Sequence, residues 1–201
     1  MKSALYRSLG FVAILWCVKI IETGLGLDFA SFGLYPHTLA GFFGIFSAPL
    51  IHSTWPHLIS NTPPLLILGT LLGYGYPKTA KIAWVGLYVG SGLSVWLLAR
   101  DYHHIGASGL THGLMFFIFT MGLLRRDNLS MAFAMITFFL YGSMIWTIFP
   151  HDPSISYELH FFGALWGLIL AFFLKSVEPK PIEKKYDWEG EEEESNDYSE
   201  P

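Results

Sequence analysis

Apolar residues gather into six stretches separated by short polar or basic connections, at 9–26, 57–74, 80–99, 108–124, 131–149 and 157–174. A helix that crosses the hydrocarbon core of a bilayer needs about 20 mostly apolar residues, range about 17–25. None of the stretches alternates polar and apolar residues with the period of two that a half-buried strand requires. Backbone in lipid must satisfy its own hydrogen bonds, so the pattern predicts six transmembrane helices and an all-α polytopic membrane protein.

Basic residues orient the bundle. Lys2 and Arg7 precede the first stretch, Lys78 and Lys81 follow the second, and Arg125 and Arg126 follow the fourth. Lys175, Lys180, Lys184 and Lys185 follow the sixth. If the spans alternate in direction, all of these fall on one side, with Arg100 opposite and Lys19 inside the first span. The positive-inside rule then puts both termini in the cytoplasm. The starts of spans four and six consequently share the outer side.

The first connection, 27–56, is too apolar for a plain loop: it holds Phe29, Phe32, Leu39, Phe42, Phe43, Phe46 and Leu50. Long loops in compact proteins are functional or disordered, and this composition argues against disorder. The expectation is a segment dipping into the outer leaflet.

Composition agrees with a membrane domain. Of 201 residues, 52% are hydrophobic and 14% charged, against about 25% charged in soluble domains. Aromatics at 17% suit interfacial belts. The net charge of −4 comes from the end of the chain, where 186–201 holds half of the 16 acidic residues. We read 1–175 as a six-helix membrane domain and 176–201 as an acidic, disordered cytoplasmic tail. The first apolar stretch lacks a defensible cleavage site and reads as a span rather than a signal peptide. No basic stripe suggests nucleic acid. Cys17, the single cysteine, cannot form an internal disulfide and reads as a small packing residue.

Chemistry enters with Ser108, in Gly106-Ala107-Ser108-Gly109 at the start of the fourth stretch. Alone, such a serine is a weak signal and reads first as a small residue for close helix packing. His160 opens the sixth stretch, and ionisable residues inside spans are costly and usually functional. Gly163 and Gly167 follow it on about the same face. They would let the two helices approach closely enough for an imidazole to act as base to a serine hydroxyl. His57 and Asn61, four apart, share a face at the start of the second stretch, with His52 just before it. They read either as internally bonded or metal-ligating polar groups or as donors to a developing oxyanion.

These three groups together resemble the rhomboid family of intramembrane serine proteases, over about residues 8–174. That family carries G-x-S-G at its fourth core helix. A histidine followed by glycines three and seven residues on opens its sixth, and H-x-x-x-x-H-x-x-x-N opens its second. The resemblance implies a six-transmembrane-helix rhomboid-like bundle with Ser108 as nucleophile and His160 as base, a dyad needing no aspartate. It implies an oxyanion held by the Ser108 backbone N–H, His57 and Asn61, with His52, Gly106, Gly109, His112, Gly163 and Gly167 in support. It further implies transmembrane protein substrates and a bacterial plasma (inner) membrane with the site towards the outer face. No cofactor and no metal are implied, and oligomeric state is left open. Phe133, Phe138, Phe139, Gly142 and Trp146 of span five would flank a lateral access route.

Two positions depart from the family pattern. Phe43-Gly44 stands where many members have Trp-Arg, and His112 where some have a Tyr packed on the base. Glu158, two residues from His160, points to another face. The alternatives are a non-proteolytic relative, or a metal transporter or metalloprotease built on the eight histidines His37, His52, His57, His103, His104, His112, His151 and His160. Against the metal reading, the chain has no H-E-x-x-H, and the acids nearest these histidines, Asp101, Asp152 and Glu158, are isolated.

Overall fold

A computed structural model of the chain describes residues 1–150, 152 and 155–179. Its α-helices are α1 (Lys2–Gly24), α2 (Leu39–Ser47), α3 (Trp55–Gly75), α4 (Ala80–Leu98), α5 (Ser108–Arg125), α6 (Asn128–Tyr141) and α7 (Tyr157–Leu174). Short 3-10 turns occupy Ala30–Phe32, Ala48–Leu50 and Gly142–Ile148. Among the described residues there is no strand, only an isolated bridge between Leu34 and His104.

Each expected apolar stretch contains a helix, with two differences. The fifth is divided: α6 ends at Tyr141 and the chain tightens into the 3-10 segment Gly142–Ile148. Gly142 and Ser143 are weak helix formers, which favours the break there. The first connection holds α2, whose Thr38 hydroxyl caps the Gly41 amide at 3.1 Å. Gly41 and Gly44 press against the backbone of Tyr35 and of Gly33 and Leu34, while Leu39, Phe43 and Phe46 face outward.

Among the described residues, four segments are long and apolar enough to cross a membrane by length and composition: α1, α4, Asn128–Ile148 and α7. The other two long helices, α3 and α5, are diluted by polar residues such as Ser60, Asn61, Thr62, Thr111 and His112. In α5 the dilution goes with burial: twelve of its 18 residues are buried. Helix α5 packs against α3, α4, α6 and α7, and its Leu114, Phe117 and Ile118 are fully buried. Bulky apolar side chains instead cover the outside, among them Ile20, Leu98, Phe139, Phe172 and Phe173. That inversion of a soluble surface marks an integral membrane protein.

Charges that broke the basic-residue pattern have partners. Lys19 pairs with Glu22 at 2.7 Å and donates to the carbonyls of His52 and Ser53 at 2.9 and 3.1 Å. Arg100 pairs with Glu158 at 3.0 Å and stands 5.1 Å from the rings of Tyr102 and Tyr157. A buried charge is tolerated when paired and hydrogen-bonded in this way. Cys17, expected to pack inside, is exposed on α1. Phe133 packs on Tyr74, Gly75 and Tyr76 at the far end of α3 from His57. It therefore does not share a flank with Phe139 and Trp146, which are exposed.

Residues just beyond the boundary expected at 175 are bonded to the bundle. Glu178 accepts from the Thr79 amide at 2.7 Å, and Arg125 donates to the carbonyls of Lys175, Glu178 and Pro179. The acidic stretch 186–201 lies outside the described residues.

Helices α5 and α7 run parallel and meet backbone to backbone. A Cβ at Gly163 would collide with the Gly109 carbonyl oxygen, and one at Gly167 would lie 2.5 Å from the Gly113 carbonyl oxygen. Gly163→Ala is therefore expected to destabilise the protein, at about 1–3 kcal/mol for overpacking. Gly10, on α1, has nothing within 4 Å of a Cβ, so Gly10→Ala is expected to leave stability unchanged or slightly higher. Thermal unfolding in detergent compares the two; equal behaviour would refute the close approach.

Candidate active site

The ends of three helices meet at one face of the bundle. Ser108 is the first residue of α5, His160 lies in the first turn of α7, and His57 in the first turn of α3. Ser108 and His160 are both buried, at 8% exposure each. The Gly109–Gly163 contact lies one residue beyond Ser108 and three beyond His160, so the dyad candidates sit beside the tightest point of the interface.

The turn into α5 depends on Gly106. Its φ of +107° is a conformation that side chains rarely adopt, and a Cβ there would lie 2.6 Å from His57 Cε1. The His57 ring therefore lies directly on the backbone two residues before Ser108. The first amides of a helix, including that of Ser108, have no acceptor within the helix and point at whatever occupies its start. Asn61 donates one amide hydrogen to the His57 carbonyl at 3.0 Å. An Asn side chain has a second to give.

His52 ties these parts together. Its Nε2 accepts from the Ala107 amide at 3.4 Å, and its ring meets that of His57 edge-on, with centroids 4.9 Å apart. Its own carbonyl is held by Lys19. His57 Nδ1 lies 3.3 Å from the Ser53 hydroxyl.

His112, one turn into α5, stacks flat on His160, with centroids 4.1 Å apart and 9° between planes. His112 Nδ1 is 2.7 Å from the Ser108 carbonyl oxygen. Thr147, in the 3-10 segment after α6, touches both rings: its hydroxyl is 2.7 Å from His112 Nε2 and its carbonyl 2.9 Å from His160 Nδ1. No sequence motif marks Thr147, because its partners are 13 and 35 residues away. The buried pair of Lys19 and Glu22 also escaped the motif reading; the one signal was an acid three residues after a lysine inside a span. Glu158 pairs with Arg100, and the His104 Nδ1 lies 2.6 Å from the Ser156 hydroxyl. Among the described residues, no three His, Cys, Asp or Glu side chains converge as an ion would need.

The arrangement offers a serine hydroxyl and an imidazole at one end of the α5–α7 contact, with helix amides and the His57 ring beside the turn before the serine. A family model of the Rhomboid domain matches residues 39–177. An uncharacterized protein of Mycobacterium tuberculosis is 32% identical over 181 residues, 86% of this chain and 75% of that protein. One from Mycobacterium leprae is 29% identical over 183 residues, 86% of this chain and 72% of that protein.

The buried His52 makes stability depend on pH. Burial, then the neighbouring His57, pushes its pKa down to about 3; the Leu50 carbonyl opposes this, and Lys19 lowers it further. The unfolded chain, with an ordinary value of about 6.5, takes up a proton over the interval in which the folded state does not. The stability linked to a neutral His52 is therefore full above about pH 6.5 and is lost progressively as pH falls towards about 3. Melting temperatures between pH 7.5 and 4.5 are expected to fall less steeply in His52→Gln than in the parent. Parallel slopes would show that His52 is not a source of the acid sensitivity.

Proposed function

The chain belongs to the rhomboid family, and we propose that it is an intramembrane serine protease acting through Ser108 and His160. One observation carries this above all: α5 and α7 meet glycine to glycine, with the serine and the histidine at the same end of the contact. A packing serine needs no base beside it, and a structural histidine needs no nucleophile.

In this proposal the His160 imidazole takes the Ser108 proton as Oγ attacks the scissile carbonyl. The carbonyl oxygen becomes an oxyanion, stabilised by the Ser108 N–H and by the side chains of His57 and Asn61. His160 then protonates the departing amine, and water hydrolyses the acyl-enzyme by the same route. Gly106 keeps the approach to Ser108 free of a side chain, and His52 holds His57 against the turn. His112, stacked on His160, occupies the position where some relatives have a tyrosine.

We further propose that α1, α3, α4, α5, Asn128–Ile148 and α7 are six spans, with α2 lying in the outer leaflet. Lys2, Arg7, Lys78, Lys81, Arg125, Arg126 and Lys175 then mark the cytoplasmic side. The site opens towards the outer face of a bacterial plasma membrane. Substrates are transmembrane proteins whose helices unwind near a small residue.

Ser108→Ala and His160→Ala are each expected to abolish cleavage of a transmembrane substrate without loss of folding. Because the two act as a unit, the double variant is expected to be hardly worse than either single one. Cleavage near the parent rate in either would refute the dyad. His57→Ala or Asn61→Ala is expected to reduce turnover by about 10²–10³, the usual loss for one oxyanion donor. Unimpaired turnover in the combined variant, measured on purified enzyme in liposomes, would remove both from the oxyanion site.

A further inference from the structure

We infer that Thr147 is a positioning residue for the base, setting which nitrogen of His160 faces the serine; this rests on the protease reading above. The Thr147 carbonyl oxygen can only accept a hydrogen bond. His160 Nδ1, 2.9 Å away, must then carry the proton. In a neutral imidazole the other nitrogen, Nε2, is left with the lone pair. Nε2 is thus the proton acceptor for Ser108, and a backbone carbonyl does the orienting that a carboxylate does in soluble triads.

The side chain of the same residue holds that carbonyl in place. His112 Nδ1 lies 2.7 Å from the Ser108 carbonyl oxygen. The Thr147 hydroxyl donates to the Met144 carbonyl at 2.8 Å, and its oxygen lies 2.7 Å from His112 Nε2, so it links the ring to the segment. Ser108, His112, Thr147 and His160 thereby form one chain of bonds closed by the ring stack.

No residue of the 3-10 segment Gly142–Ile148 is fully buried, and its Trp146 is 72% exposed. The hydroxyl contact with His112 ties to α5 a segment that otherwise packs on α6 and α7, and that segment carries the carbonyl that orients the base.

Thr147→Val keeps the branched shape and removes the hydroxyl; Thr147→Ser keeps the hydroxyl. In a cleavage assay, kcat of Thr147→Val is expected to fall about tenfold with KM within about twofold, and Thr147→Ser to stay within about twofold of the parent. Equal activity of Thr147→Val and parent, or equal impairment of both variants, would overturn the role of the hydroxyl. Histidine-ring 15N NMR of the folded parent near neutral pH reads the tautomer without any activity. A proton on His160 Nδ1 is expected, and a proton settled on Nε2 would overturn the inference even if cleavage is real. Should the parent show no Ser108-dependent cleavage, the protease reading fails and takes this role of Thr147 with it.

Discussion

The close approach of α5 and α7 is the constraint from which the rest follows. Two helices normally stand 8–10 Å apart. Here Gly109 and Gly113 on one helix face Gly163 and Gly167 on the other, with no room for a methyl group between them. In lipid there is little hydrophobic gain from joining two apolar helices, so small residues that admit backbone contact and dispersion supply the association. The same contact sets the register that puts Ser108 and His160 at one end and lets the His112 ring lie flat on His160.

Around that contact, polar groups concentrate at one face of the bundle and are bonded to one another. Lys19 and Glu22 of α1 hold the chain between α2 and α3, which carries His52. His52 holds the turn before α5, and that turn, kept open by Gly106, receives the His57 ring. Arg100 and Glu158 link the connection after α4 to the start of α7. These two ion pairs each tie a helix to a connection, which fixes the positions of loops that lipid cannot fix.

Much of this was legible in the sequence for a physical reason. Residues in a bilayer are constrained by a simple solvent, so a serine, two histidines and an asparagine amid apolar runs stand out. The spacing of Gly163 and Gly167 after His160 was visible for the same reason. Hydropathy was weakest for α3 and α5, the helices that bear the polar groups, while the motifs on them were strongest. What was hidden depended on long-range contacts. The division of the fifth stretch at Gly142, the burial of Phe133 and the reach of Thr147 to both rings are set by neighbours far apart in sequence. The segment at 176–179 was read as the start of a solvated tail from its charge; Glu178 is instead docked on the start of α4.

An activated serine can be detected directly, without knowing a substrate. A fluorophosphonate probe forms a bond only to a nucleophilic hydroxyl, so labelling of the purified, folded parent followed by peptide mapping tests the central claim. The account predicts an adduct on Ser108 that disappears in Ser108→Ala and is strongly reduced in His160→Ala. No adduct on Ser108 in a folded, membrane-reconstituted parent, or labelling undiminished by His160→Ala, would contradict it.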